Sequence, residues 1–132
     1  MPNVLYPKAK EGFLGGDIDL EIDNIVAVLV DTAAYSYNAS HVFLSEIPIG
    51  DRIATSNNLS TKSILNGVFN SDDLVYPSVT GDVSEALVLV QDSGDAATSR
   101  LVAYIDTATG LPVTPNGTNI NVTVNTSGWF SL

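Results

Sequence analysis

The sequence predicts a mainly β protein, an antiparallel, jelly-roll-like β-sandwich with one or two short helices near the N-terminus. Three observations carry this. Seven or eight short runs rich in Val, Ile, Leu, Tyr and Phe are separated by clusters of Asn, Ser, Gly and Asp. The two strongest runs, SEALVLVQD and RLVAYIDT, are joined by the polar stretch SGDAATS in the manner of a hairpin. In NINVTVN the residues Ile120, Val122 and Val124 alternate with Asn and Thr, the period of a half-buried strand.

At 132 residues the chain fits one core. It divides into an N-terminal arm or short helix over 1–16 and a single β-sandwich over 17–132. Pro7 to Leu14 suits a short helix, with Pro7 in its first turn and Gly15-Gly16 ending it. In DIDLEID, residues 17–23, acid and apolar residues alternate, so a strand there would point Ile18, Leu20 and Ile22 one way and Asp17, Asp19, Glu21 and Asp23 the other. IVAVLVD, residues 25–31, is the best candidate for a central strand buried on both faces. Ala39, Val42, Phe43 and Ile47 have helical spacing, with Asn38 or Ser40 as cap and Pro48 as stop, which predicts a helix of two to three turns. From residue 51 the runs RIATS, TKSIL, GVFN and LVYPSV suggest a meander. Trp129-Phe130 reads as a last strand tucked into the core.

Composition narrows function. The net charge is −10, from 15 acidic against 5 basic residues, a field that repels phosphate backbones and makes nucleic acid an unsuitable partner. No stretch of apolar residues is long enough to span a bilayer as a helix, and the first residues do not form a secretory signal, so no membrane partner is expected. With no cysteine and one histidine, disulfides, thiolate zinc sites and His-rich metal sites are excluded, and cytoplasmic synthesis fits.

The four carboxylates at every second position invite a cation. The loop that holds Ca²⁺ in EF-hands needs Gly at its sixth and Glu at its twelfth position, where this chain has Ile22 and Val28. The four acids are therefore read as a solvated strand face or as a protein-interface patch for a basic partner, with a non-standard metal site the remaining alternative. His41 is the lone candidate base, yet no GxSxG elbow selects a serine for it, and neither GxGxxG nor a P-loop is present. No enzyme activity and no cofactor is expected. The Asn-x-Ser/Thr triplets beginning at Asn38, Asn58, Asn116, Asn121 and Asn125 are read as turn and strand-face residues.

The order of several segments resembles a family of small proteins encoded among the virion-structure genes of tailed bacteriophages. The residues carrying it are Asn3–Tyr6, Lys8–Glu11, Val28–Asp31, Phe43–Ser45, Arg52–Thr55, Gly67–Phe69, Glu85–Val88 and, longest, Ser99–Gly117, spread over nearly the whole chain. That family has no catalytic motif to transfer. The resemblance implies a virion structural role, foremost a capsid decoration or cement protein bridging subunits of the major capsid protein, made in the host bacterial cytoplasm and working as a homo-oligomer, dimer or trimer. Residues 1–16 or the acidic segment 17–23 would be its bridging element. The alternatives are a tail or neck component, and a receptor- or carbohydrate-binding β module using Tyr35, Tyr37 and Trp129.

Overall fold

The computed structural model describes residues 3–132. The fold is mainly β, antiparallel and sandwich-like, with one short α-helix near the N-terminus. The elements are β1 (Val4–Leu5), α1 (Pro7–Gly15), β2 (Ile25–Val30), two 3-10 turns (Leu44–Glu46 and Ile49–Asp51), β3 (Arg52–Thr55), β4 (Ser63–Leu65), β5 (Val68–Asn70), β6 (Leu74–Tyr76), β7 (Ala86–Gln91), β8 (Arg100–Ile105), β9 (Ile120–Val122) and β10 (Phe130–Ser131). They form a five-stranded sheet in the order β1-β8-β7-β2-β3, a three-stranded sheet β10-β5-β4 and a two-stranded sheet β6-β9. The jelly-roll-like expectation is met in the antiparallel, sandwich-like arrangement, while the strands divide five, three and two instead of four and four.

The largest sheet is built from the most apolar runs. All six residues of β2 are buried, as are Ala86–Val90 of β7 and Leu101–Ile105 of β8. Such strands are covered on both faces, so their sequence runs apolar without alternation. The predicted hairpin is β7–β8. Its connecting loop is ordered from within: Asp92 and Asp95 accept from the backbone of Gly94 and Ala97, and the buried Ser99 hydroxyl donates to the Asp95 carbonyl at 2.8 Å. In β9, Ile120 and Val122 are buried and Asn121 is exposed, as the alternation required. Trp129 is buried and its indole N–H donates to Ser71 Oγ at 2.8 Å.

The start of the chain is docked. β1 pairs with β8, Tyr6 and Ala9 are buried, and Gly16 closes α1 in the left-handed region at φ 80°. The first two residues of the 1–16 arm lie outside the described residues; residues 3–16 form β1 and α1 and pack into the core.

Two predicted elements do not form. Residues 17–23 are a turn instead of a strand. The N–H groups of Asp17 and Ile18 bond the Gly12 carbonyl at the end of α1, and the Asp19 carboxylate accepts from the N–H groups of Glu21 and Ile22. Local carboxylate-to-backbone bonds thus displace the ladder. Ile18 and Leu20 are buried but Ile22 is 81% exposed, which breaks the alternation. The helix over 39–47 is also absent. Asn38 folds back on the N–H of Ser40, the Glu46 carboxylate accepts from the N–H groups of Val42 and Phe43, and the backbone of Val42 and Leu44 bonds Leu101 and Ser99. The donors and acceptors a helix would need are taken by the start of β8.

The meander is redistributed. β3 joins the large sheet, β6 pairs with the distant β9, and only β4–β5 is a local hairpin. That hairpin turns on Asn66-Gly67 with φ values of 53° and 78°, the type I′ geometry that matches the twist of its strands. A Cβ on Gly67 would also stand 2.9 Å from the Leu132 carbonyl oxygen. Gly67→Ala is expected to cost about 1–2 kcal/mol, the penalty of a left-handed non-glycine residue, as read from the midpoint of urea unfolding.

Candidate functional site

The acidic segment does not present one face. Asp17 approaches Arg100 at 3.7 Å. Asp19 organises the turn that follows it, and Asp23 accepts from the N–H of Asp19 at 2.9 Å and from Gln91 Nε2 at 2.6 Å. Lys62 donates to the Asp23 carbonyl and to Asn58 Oδ1, tying the turn to the 56–62 loop. Desolvation holds the Lys62 ammonium below its ordinary pKa, opposed by the nearby Asp23 and Asp19. Glu21 remains on the exposed surface. Among the described residues, no group of three or more His, Asp and Glu side chains is placed to hold a metal ion.

His41 joins a buried phenol relay. Tyr6 Oη and Tyr35 Oη lie 2.7 Å apart, and Tyr35 Oη lies 3.1 Å from His41 Nδ1. Tyr37 packs against both Tyr6 and Tyr104, at ring-centroid distances of 4.9 and 5.9 Å. Burial pushes the phenols of Tyr6, Tyr35, Tyr37 and Tyr104 above their ordinary pKa, so none is suited to act as a base near neutrality. The hollow beside them, about 260 Å³, is lined by Thr32, Tyr35, Ser36, Tyr37 and Tyr104, without His41. The relay clamps the 32–41 loop onto the large sheet. Of the three rings considered for sugar binding, Tyr35 and Trp129 are buried.

Three of the five Asn-x-Ser/Thr triplets adopt one geometry. Asn38, Asn116 and Asn125 each accept, through Oδ1, the N–H and the hydroxyl of the Ser or Thr two residues on. Asn121 lies on the exposed face of β9, and Asn58 accepts from the N–H of Ile25. The turn and strand-face reading of these triplets therefore matches the structure.

The surface is most unusual between the end of α1 and the three-stranded sheet. In register, Ile64 pairs with Phe69, and Phe69 with Phe130, so one apolar row crosses that sheet. Phe13 stacks on Phe130 at 6.2 Å, and Ile18 and Leu20 form the facing wall. Between them lies an open groove of about 320 Å³, into which Leu132 and Asp19 also project. Ile64 is 47% and Leu132 71% exposed; Leu14 and Leu65, next in sequence to Phe13 and Ile64, are also largely exposed. Sequence reading missed this groove, because its walls come from three separate stretches of chain. The only local signal was the apolar Ile64-Leu65 pair in a strand too short to bury both. A larger hollow, about 630 Å³, is bounded by Asn3, Lys10, Asn125, Ser127 and Trp129, where the described chain begins.

No protein-family model matches this chain, and a search of curated proteins finds no match to it, so its function must be read from the surface and the sequence.

Proposed function

We propose that this protein is a structural subunit of a tailed-bacteriophage virion, foremost a capsid decoration or cement protein that bridges subunits of the major capsid protein. One observation carries the reading: an apolar groove open to solvent, with Ile64 and Leu132 exposed on its rim, lies on a body whose main sheet has its three central strands buried on both faces. Exposed apolar surface of this kind marks a protein-protein contact. The resemblance of its segments to phage virion proteins supplies the setting, and the charge of −10 would keep an abundant subunit soluble until it assembles. A homo-oligomer, dimer or trimer, would match the symmetry of a capsid lattice. Burial of Tyr35 and Trp129 weighs against a carbohydrate-binding module.

The test is quantitative mass spectrometry of purified particles of the encoding phage, with the protein located by electron microscopy. A cement protein is expected in copies on the order of hundreds spread over the head, as a lattice-covering oligomer requires. A few copies at the portal vertex or tail would favour a neck or tail component, and absence from the particle would overturn the virion role.

A further inference from the structure

We infer that the groove and the free edge of β4 together form a docking site for an extended, positively charged segment of another protein, one large apolar side chain of which enters the groove. This deepens the structural-subunit reading, on which it rests, by giving the chemistry of the partner.

Three features converge on it. Among the described residues β4 pairs only with β5, and no described strand lies beside the backbone donors and acceptors of its other edge. Natural edge strands are commonly guarded by lysine or proline. Here the strand is Ser63-Ile64-Leu65, and Lys62, the one residue placed to guard it, has its ammonium drawn away to the Asp23 carbonyl and Asn58. A strand added at this edge would set a residue directly opposite Ile64. It would extend the row Ile64, Phe69, Phe130 by one more apolar side chain, lying over the groove.

Charge selects the occupant. Asp19 lies in the groove wall and Glu21 is exposed two residues on; with Asp17 and Asp23 the segment carries four acids against the two cations beside it, Arg100 near Asp17 and Lys62 near Asp23 and Asp19, so it keeps a net negative charge. A second copy of this chain would bring the same acids, and a further charge of −10, to this surface, which repulsion opposes. A partner carrying Lys or Arg beside its apolar anchor meets complementary charge instead.

The experiment is a titration of the full isotope-labelled chain, followed by amide NMR, with a short synthetic peptide in which lysine alternates with valine around one central leucine. Saturable shifts are expected at Asp19, Ile64, Phe69, Phe130 and Leu132. Ile64→Ser should weaken binding about tenfold, as loss of one buried apolar anchor does. Asp19→Asn with Glu21→Gln should weaken it and reduce its salt dependence, while Asn keeps the turn-forming carbonyl. Equal binding of a peptide with glutamate for lysine, shifts confined to other surfaces, no binding of the lysine peptide, or a dimer in sedimentation that buries the groove would each overturn the inference. Particle counts keep the two ideas apart. If Ile64→Ser protein occupies virions as fully as wild type, the docking site fails and the virion role stands. If wild type is absent from virions, the virion role fails, while the titration still decides the groove.

Discussion

Truncating Leu89 to alanine is expected to lower the unfolding free energy by about 3–5 kcal/mol, the upper range for a buried leucine. Leu89 is fully buried in β7, the middle strand of the large sheet. Its cross-strand partners are Ala27 on β2 and Ala103 on β8. One leucine therefore fills the space above two alanines. Removing it leaves three alanines abreast, so neither cross-strand neighbour has atoms to move into the gap and more of the cavity persists. Leu87 is the control, since its partners Leu29 and Ile105 are large and can lean inward. Leu87→Ala should cost less, and Val75→Ala, at a residue 58% exposed, should cost well under 1 kcal/mol. Against a total stability of roughly 5–15 kcal/mol, the Leu89 loss would show as a fall in Tm of about 10–20 °C. A Leu89→Ala loss no larger than that of Val75→Ala would mean that β7 is not at the centre of the packing.

The second large effect is alkaline unfolding. All five tyrosines have pKa values raised above the ordinary 10.0, with burial the leading cause. Tyr6 and Tyr76 are buried almost completely and their phenols are pushed furthest. A raised acid keeps its proton in the folded state while the unfolded chain releases it. The stabilisation is thus complete below pH 10 and is lost as pH climbs from there toward the folded values. Once the unfolded phenols are ionised, each of these two removes about 1.4 kcal/mol per pH unit. Tyrosinate absorbance should stay low past the normal titration range and then rise in one cooperative step together with loss of β circular dichroism. Tyr76→Phe tests the assignment. It should cost about 1 kcal/mol at neutral pH, by removing the hydrogen bond to the Ala27 carbonyl at 2.9 Å, and should make the alkaline loss shallower. Gradual phenol ionisation without unfolding would contradict it.

Much of the fold could be read along the chain because its strands announce themselves locally. Ile25–Val30, Ala86–Gln91 and Arg100–Ile105 are apolar runs of strand length, and Ile120–Val122 alternates cleanly, so burial and period agreed. Residues 17–23 carried an equally clean alternation and misled. Short polar side chains can satisfy nearby backbone donors, and Asp19 and Asp23 do so here once Gly16 has turned the chain at the end of α1. The helical spacing at 39–47 failed for a related reason, since Val42 and Leu44 found backbone partners in Leu101 and Ser99, more than fifty residues away.

The sequence by itself determined the β class, the long apolar strands, most of the turn residues and the strong negative charge, because each depends on side chains a few positions apart. Tertiary structure alone decided which strands became neighbours, that Asp17 meets Arg100 and Asp23 meets Gln91, and that Phe13, Ile18, Leu20, Ile64, Phe130 and Leu132 meet in one groove. Those are contacts between residues distant in the chain, selected by what the assembled core leaves uncovered, and no local period encodes them.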